Sequence, residues 1–369
     1  MAQAEQWREK WIGWRNRLLA DPRFQRMAAG LWLTRPVARR RARALFDLLA
    51  GFTYSQTLAA ALESGLLARL AAGPMSTEAV AAAIDLPVAA ADRLLRAAAA
   101  LGLVERLDNR WALGADGAAL LGNPGIAEMV AHHRLLYADL ADPLAQLRTR
   151  GGGQLSAYWR YAEHAGEGDG DQVAAYSRLM AASQALIADH VTRAYRFGRH
   201  RRMLDVGGGE GRFIRAVALV APTLDFTLFD LAAVGARAQA ALAEAGIADR
   251  VAIAGGNFLA DALPPGHDLI TLIRVLHDHD DDPARQLLRN IHAALPPGGS
   301  LLIAEPMAET RGAEPAGDAY FGLYLWAMGS GRPRSHREIA AMLDHAGFRR
   351  IRRVPTAIPL TVSAIVATR

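Results

Sequence analysis

Short apolar runs alternate with amphipathic segments through the second half of the chain. The runs occupy residues 203–206, 225–230, 250–254, 268–275 and 299–305. Such alternation is typical of a doubly wound parallel sheet with helices on both faces. Two last runs, at 348–354 and 361–367, are joined by a proline-containing loop and predict a closing antiparallel hairpin. Because open α/β sheets bind ligands at the carboxyl ends of their strands, we expect the functional residues directly after these runs.

The first half of the chain predicts helices and one hairpin. Residues 44–72 have apolar positions at helical spacing, and Ser76 is placed to cap a helix over 77–84. A hairpin at 104–113 completes a helix, turn, helix and hairpin pattern, which indicates a winged helix. Many winged helices bind DNA, but residues 60–115 hold five basic and six acidic side chains. A groove-binding domain needs a positive face, so nucleic acid is not the predicted partner.

The first 43 residues form a basic amphipathic arm. Trp7, Trp11, Trp14 and Leu18 fall on one face of a predicted helix. The arm holds eleven basic and three acidic side chains, whereas the rest of the chain holds 31 basic and 34 acidic ones. Two interpretations stay open, because indoles suit both bilayer and protein interfaces. The arm either contacts a membrane surface or packs against a partner subunit.

Composition excludes several function classes. A chain of 369 residues is long enough for two domains, and the absence of cysteine excludes thiolate nucleophiles and cysteine-ligated zinc. No stretch approaches 18 consecutive apolar residues, and Arg8, Glu9 and Lys10 interrupt any signal-peptide core. We therefore expect a cytoplasmic protein. Membrane contact through the arm would place this protein peripherally on the inner face of the membrane.

A glycine-rich loop directly follows the first strand of the predicted sheet, in the run Asp205-Val-Gly207-Gly208-Gly209-Glu210-Gly211. Glycines let the backbone approach a ligand closely. A dinucleotide-binding loop would need glycine or alanine where this chain has Arg212. The acidic Glu210 disfavours a pyrophosphate and suits a cationic or zwitterionic ligand.

Polar side chains follow the next two strands. Asp230 ends the second strand about 20 residues past the glycine loop, where a carboxylate can accept both hydroxyl protons of a ribose. Gly256, Asn257 and Phe258 follow the third strand and offer an amide for an adenine edge and a ring to cover it. Together these features predict S-adenosylmethionine, a nucleoside cofactor without pyrophosphate. The alternative for Asp230 is a helix cap before Leu231.

Candidate catalytic residues follow the fourth and fifth strands. His277 and Asp278 come after the fourth strand, and histidine is the usual base when a hydroxyl must lose its proton during methyl transfer. Glu305 ends the fifth strand, where we expect it to reach the His277 ring and fix its tautomer. A surface His-Asp pair that caps the next helix is the alternative, and it fits His279 and Asp280 better than His277. No metal is predicted, since direct methyl transfer requires no Lewis acid.

Over roughly residues 44–369 the chain resembles the class I S-adenosylmethionine-dependent O-methyltransferases of the plant caffeate and hydroxyindole type. The segments that carry this resemblance are LDVGGGEG (204–211), FDL (229–231), VLHD (275–278) and AEP (304–306). They are similar to the family's glycine, ribose, catalytic-base and orienting-glutamate motifs. The resemblance implies an α/β fold, with a Rossmann-like methyltransferase sheet that is parallel except for a terminal antiparallel hairpin. It also implies an all-helical winged-helix N-terminal dimerisation domain, with the hairpin at 104–113 as its wing.

The resemblance assigns roles to individual residues. The catalytic residues are His277, Glu305 and Asp278. The cofactor contacts are Asp205, Gly207, Gly208, Gly209, Asp230, Leu231, Gly256, Asn257, Phe258 and Arg274. The acceptor contacts are Tyr176 and Met180, in the segment YSRLM, together with Tyr324 and Met328.

Three positions depart from the family pattern. Asn257 replaces the usual aspartate of the adenine-side motif, and His279 replaces the usual tryptophan after the His-Asp pair. Pro333 stands where a second orienting glutamate is expected, just before Arg334. Glu305 must then orient the histidine alone, or a group of the substrate must help.

Two segments narrow the resemblance further. TRPVARRRARALFDLLAGFTYSQ (34–56) and YFGLYLWAMGSGRPRS (320–335) are similar to the carotenoid hydroxyl O-methyltransferases of photosynthetic purple bacteria, of the demethylspheroidene and hydroxyneurosporene type. The implied substrate is the tertiary hydroxyl of an acyclic carotenoid, and the aromatic residues of 320–328 suit a lipophilic acceptor. Two alternatives stay open, namely a phenolic, indole or tetrapyrrole acceptor, and a non-catalytic winged-helix regulator.

We expect three regions along the chain. Residues 1–43 form the basic arm, residues 44–195 form the winged-helix dimerisation and substrate-lid domain, and residues 196–369 form the Rossmann-like methyltransferase domain. The expected partners are a lipophilic small-molecule substrate and a second copy of the chain in a homodimer.

Overall fold

The computed structural model describes residues 2–163, residue 184 and residues 187–369. The chain divides into two compact units, Met1–Ala119 and Leu120–Arg369. The three regions expected from the sequence, with boundaries after residues 43 and 195, stay a prediction. Tyr176 and Met180, the expected acceptor contacts, lie outside the described residues.

The first unit consists of helices and one hairpin. Its helices are α1 (Ala2–Ala20), α2 (Pro22–Gly30), α3 (Arg35–Glu63), α4 (Leu66–Ala71), α5 (Thr77–Ala83) and α6 (Val88–Ala100), and its strands are β1 (Val104–Leu107) and β2 (Arg110–Leu113). The two strands pair antiparallel, with Val104 opposite Leu113. This is the predicted order of helices and hairpin.

Local chemistry explains where these helices begin and end. The Ser76 hydroxyl accepts a hydrogen bond from the Ala79 amide at 3.2 Å, which confirms the predicted cap of α5. The single helix predicted over 44–72 is wrong, because the chain breaks between α3 and α4. Gly65 has a φ of 74°, a left-handed conformation that glycine adopts without steric cost and that ends a helix.

The second unit carries the remaining helices. They are α7 (Ala115–Leu121), which starts in the first unit, α8 (Pro124–Asp139), α9 (Pro143–Thr149), α10 (Gln154–Glu163), α11 (described over 187–194), α12 (Arg212–Val220), α13 (Ala232–Glu244), α14 (Asp281–Ala294), α15 (Gly322–Met328) and α16 (His336–His345). A π-helix spans Pro315–Phe321, directly before α15, and a single turn of 3-10 helix spans Leu276–Asp278.

Seven strands form one sheet in the second unit. They are β3 (Arg202–Val206), β4 (Asp225–Asp230), β5 (Val251–Gly255), β6 (Leu269–Ile273), β7 (Ser300–Glu305), β8 (Arg349–Val354) and β9 (Ser363–Thr368), in the order β5-β4-β3-β6-β7-β9-β8. The first five pair in parallel, whereas β9 is antiparallel to both β7 and β8. The predicted parallel sheet with a terminal antiparallel hairpin is therefore confirmed.

Alternating side chains of the strands supply two apolar cores, one on each face of the sheet. Met203 packs with residues of α11 and α12, whereas its neighbour Leu204 packs with residues of α14 and α16. Each fully buried leucine or isoleucine contributes about 1.5–3 kcal/mol of transfer free energy, so the central strands are held from both sides. The strand order reverses between β3 and β6, and this is where a doubly wound sheet opens its ligand crevice.

Candidate functional site

The glycine-rich loop leaves the carboxyl end of β3 and turns into α12. Gly207 donates its amide to the Phe229 carbonyl at 2.8 Å and has a φ of 70°. A Cβ at this position would lie 2.7 Å from a methyl carbon of Val275, so only glycine fits. Gly209 also has a positive φ, and no atom lies within 4 Å of where its Cβ would be. The loop therefore leaves open space beside its backbone.

The Asp230 carboxylate at the end of β4 joins the glycine loop to the second strand. It accepts hydrogen bonds from the Gly209 amide at 2.8 Å and from the Leu231 amide at 2.7 Å. Burial raises the pKa of Asp230, and the two amide bonds act against that rise. Each carboxylate oxygen keeps a further lone pair for a ligand hydroxyl. Leu231 precedes α13 and has no side-chain cap, so Asp230 positions the loop rather than capping that helix.

A second buried carboxyl lies beneath the loop. One oxygen of Asp205 accepts a hydrogen bond from the Thr271 hydroxyl at 2.6 Å, and among the described residues no partner reaches the other oxygen. This free oxygen lies beside Gly208, where a Cβ would come within 2.8 Å of it. Burial raises the pKa of Asp205 to about 7. A cationic group placed there would satisfy the free oxygen and return the carboxyl to its ionised form.

The loop after β5 supplies the third part of this edge. The Gly256 amide donates to the Asp230 carbonyl at 3.0 Å, which ties the loop to β4. The Asn257 side-chain oxygen accepts from the Leu259 amide at 2.9 Å and shapes the turn. The Phe258 ring meets the His279 ring edge-on, with centroids 5.4 Å apart. The sequence-predicted residues of strands one, two and three thus lie along one edge of the sheet.

The groups on this edge fit S-adenosylmethionine. Asp205 offers a free acceptor for an ammonium group, Asp230 offers acceptors for ribose hydroxyls, and Gly209 leaves space for close approach. When bound, S-adenosylmethionine supplies a methyl group on a sulfonium to a nucleophile placed in line with it. The individual contacts of these residues to the cofactor stay predictions.

His277 lies in the 3-10 turn after β6 and is 2% exposed. Among the described residues, no hydrogen bond of ordinary geometry reaches either ring nitrogen, although the Asp278 carboxylate approaches Nε2 to 3.3 Å. Burial lowers the pKa of His277 well below 6.5, and the charge of Arg274 lowers it further. The ring is therefore neutral at physiological pH, which is the form that can accept a proton.

Glu305 contacts His277 differently from the expectation. Its Oε2 accepts a hydrogen bond from the main-chain amide of His277 at 3.0 Å, and among the described residues Oε1 has no partner. The expected contact to the ring is therefore wrong in this structure. Burial raises the pKa of Glu305 to about 8, so a neutral carboxyl predominates at pH 7. Glu305 therefore fixes the main chain of His277 rather than the tautomer of its ring.

An aromatic wall stands beside His277. We use this name for Tyr320, Phe321 and Tyr324, which belong to the π-helix and α15. The Phe321 and His277 ring centroids are 5.9 Å apart, and Phe321 meets Tyr320 edge-on at 4.9 Å. Met328, the other predicted acceptor contact of α15, is buried together with Tyr324. Single π-helical segments of this kind are frequent at functional sites.

Two histidines of α8 were missed by sequence reasoning. His132 bonds the Tyr324 hydroxyl at 2.8 Å, and His133 bonds the Tyr320 hydroxyl at 2.7 Å. Burial lowers the pKa of His132 to about 4 and also lowers the pKa of His133, so both rings are neutral at physiological pH. An adjacent His-His pair inside an apolar helix was the available signal, but its tyrosine partners lie 192 and 187 residues further along the chain.

Arg274, a predicted cofactor contact, comes directly after β6 with a φ of 57°. Its amide donates to the Ala304 carbonyl at 2.9 Å. Its positive charge lowers the pKa of His277 and also acts on His132 and Tyr320. The guanidinium charge therefore acts both on His277 and on the aromatic wall.

The sheet order and the acidic, glycine-lined crevice define a class I S-adenosylmethionine-dependent methyltransferase. A family model described as an O-methyltransferase domain matches residues 137–349, and a model described as an O-methyltransferase dimerisation domain matches residues 46–123. The first match covers more than half of the chain. The protein belongs to the S-adenosylmethionine-dependent O-methyltransferase family.

Known proteins resemble the chain over most of its length. It is 41% identical over 355 residues to the demethylspheroidene O-methyltransferase of Cereibacter sphaeroides, and this match covers 96% of this chain and 94% of that protein. The acetylserotonin O-methyltransferase of Mus musculus is 32% identical over 330 residues, 84% of each chain. The solved structure of the S-adenosylmethionine-dependent methyltransferase SibL has a TM-score of 0.76 at 28% identity and covers 88% of this chain and 98% of that one.

Proposed function

We propose that the protein methylates the tertiary hydroxyl of an acyclic carotenoid of the demethylspheroidene type, with His277 as the general base. The observation that carries this proposal is the 41% identity to a demethylspheroidene O-methyltransferase over 96% of the chain. The aromatic wall supports it, since a polyene needs an apolar surface next to the base. No comparison supports the phenolic, indole, tetrapyrrole or regulator alternatives more strongly.

The chemistry of the acceptor explains what the chain must supply. A tertiary alcohol is a far weaker acid than a phenol, so it does not ionise before the methyl group moves. A neutral base must therefore take the proton while the carbon–oxygen bond forms, and buried His277 is held neutral for that step. The charge of Arg274, which acts on the same space, favours the oxygen as it becomes more negative.

An acceptor competition tests the substrate class. Purified protein is supplied with methyl-labelled S-adenosylmethionine, a tertiary carotenoid alcohol in detergent micelles and a phenolic acceptor at equal concentration. We expect label in the carotenoid, with kcat/KM at least about tenfold above that for the phenol. A preference for the phenol would contradict the carotenoid proposal and favour the phenolic alternative.

We propose that the first unit forms the homodimer. The dimerisation-domain match begins at residue 46, within α3. One face of this helix exposes Leu45, Leu48, Leu49 and Phe52. These positions follow helical spacing, and a stripe of this kind is normally covered by another protein surface. A second copy of the chain is the occupant that the dimerisation domain indicates.

We also propose that α1 contacts an anionic membrane surface. Trp7, Trp11 and Trp14 are each more than half exposed, and they precede the dimerisation domain. The excess of basic side chains in the first 43 residues complements anionic lipid headgroups. None of the helices in the described part of the chain is long and apolar enough to cross a membrane.

The triple replacement of Trp7, Trp11 and Trp14 by alanine tests the membrane contact. Three indoles contribute a few kcal/mol of apolar burial, so we expect partition onto phosphatidylglycerol vesicles to fall at least about tenfold. Leu219→Ala, an exposed leucine of α12, is the matched control and should bind as the wild type does. Light scattering should show an unchanged dimer. Unchanged vesicle binding would contradict the proposal, and loss of the dimer would assign α1 to the subunit interface instead.

A further inference from the structure

The turn that carries His277 is held by a segment more than fifty residues further along the chain. Arg334 is fully buried, and its guanidinium donates to the Leu276 carbonyl at 2.9 Å and to the His279 carbonyl at 2.7 Å. The same group donates to Asp281 Oδ1 at 3.0 and 2.8 Å. One side chain therefore spans the turn on both sides of the base.

Neighbours of Arg334 bind the two carbonyls in between. The Arg332 amide donates to the His277 carbonyl at 2.9 Å, and the Ser330 hydroxyl donates to the Asp278 carbonyl at 3.0 Å. Gly331 has a φ of 77°, and a Cβ there would overlap the His277 carbonyl. Four consecutive carbonyls, from residue 276 to residue 279, are thus held by residues 330–334.

The contacts of the base itself are distributed unevenly. Its amide donates to Glu305 and its carbonyl accepts from Arg332, whereas the ring has no hydrogen bond of ordinary geometry in the described structure. The direction of the ring therefore depends on how firmly its main chain is fixed. Arg334 supplies the two outermost bonds of that fixation, and a buried guanidinium with this many acceptors is rigid.

Asp281 anchors the guanidinium in turn. This first residue of α14 also pairs with Arg332 at 3.0 Å, and Arg332 reaches Glu338 at 2.8 Å. Glu338 closes a capping box with Ser335 at the start of α16. Because α14 and α16 both pack on the sheet, the guanidinium is tied to the rigid core of the unit.

We propose that Arg334 is a positioning residue that directs the His277 ring by fixing the main chain of residues 276–279. The proposal rests on the proposed function, since it presumes that His277 is the base. It assigns to Arg334 no contact with acceptor or cofactor.

The charge of Arg334 has a separate effect on the base. Together with burial and Arg274, it lowers the pKa of His277. His279 acts in the same direction, whereas the carboxyl groups facing the ring and its amide belong to Asp278 and Glu305. A variant that keeps the positive charge but loses the hydrogen bonds to the carbonyls on both sides of His277 separates the effect on ring position from the effect of charge.

The experiment compares Arg334→Lys with Arg334→Met. For Arg334→Lys we expect kcat to fall on the order of 10- to 100-fold, because small displacements of a base have effects of that size. In this variant, the pH below which kcat/KM falls should equal the wild-type value. For Arg334→Met we expect a similar fall in kcat, and kcat/KM should begin to fall at a higher pH, since the ring gains a proton more easily. Arg337→Gln, an exposed arginine of α16, is the control and should leave all values unchanged.

Two further measurements separate positioning from general loss of structure. The Kd for S-adenosylmethionine should stay within about twofold of the wild-type value in both variants. In a His277→Ala background, Arg334→Lys should lower kcat no further, because the residue acts only through the base. Unchanged kcat in both single variants, weakened cofactor binding that parallels kcat, or full additivity would each overturn the proposal. Failure of the proposed function would appear differently, as full turnover of His277→Ala alone.

Discussion

Replacing His277 with alanine is expected to lower kcat for acceptor methylation by about 100- to 10,000-fold, the usual contribution of a general base. The ring is buried and neutral, and it faces the aromatic wall. An aliphatic hydroxyl is too weak an acid to lose its proton without a base, so the loss should appear in kcat rather than in the Kd for S-adenosylmethionine. Initial rates with saturating cofactor and acceptor give kcat, and calorimetric titration gives Kd.

His292→Ala is the matched control for this variant. His292 belongs to α14 in the same unit and packs edge-on against Phe348, away from the crevice. We expect its kcat to stay within about twofold of the wild-type value, since it loses packing but no reacting group. Wild-type turnover in His277→Ala would contradict the assignment of the base.

Replacing Asp230 with alanine has the second largest expected effect. The variant loses the carboxylate that orients Gly209 and that we propose as the acceptor of ribose hydroxyls. Two hydrogen bonds to a charged group contribute about 1.5–3 kcal/mol each, so we expect the Kd for S-adenosylmethionine to rise at least about 100-fold. At saturating cofactor, kcat should recover most of its wild-type value, because Asp230 does not contact the base.

Asp225→Ala provides the comparison for Asp230→Ala. Asp225 is the first residue of the same strand, at the end away from the crevice, and is exposed. Its replacement should leave the Kd unchanged. An unchanged Kd in Asp230→Ala itself would show that the cofactor binds elsewhere, and the assignment of the crevice would then be wrong.

The strands were predictable because their signal is local. The expected run at 225–230 is β4 itself, and the expected run at 299–305 differs from β7 by one residue. Buried parallel strands are short and continuously apolar, and turn residues separate them, so the sequence marks both ends. The break at Gly65 was missed because the apolar pattern continues across it, whereas one positive φ is enough to end the helix.

The sequence predicts which residues of the site lie close together, but it does not predict which of their atoms are in contact. His277 and Glu305 follow neighbouring strands, which places them together. Whether the carboxylate reaches the ring or the amide depends on rotamers and on the tilt of a 3-10 turn, neither of which has a local signal. The same holds for Arg334 and for His132, since their partners are distant in sequence and are brought close only by the completed fold.

The most direct test of the account is mass spectrometry of the carotenoid product. Wild-type protein is incubated with trideuteromethyl-labelled S-adenosylmethionine and demethylspheroidene, and the labelled position is located by fragmentation. We expect one trideuteromethyl group on the oxygen of the tertiary carbinol, formed by the wild type and lost with His277→Ala. Label on a carbon atom, or no labelled carotenoid from a protein that methylates a phenol under the same conditions, would contradict it.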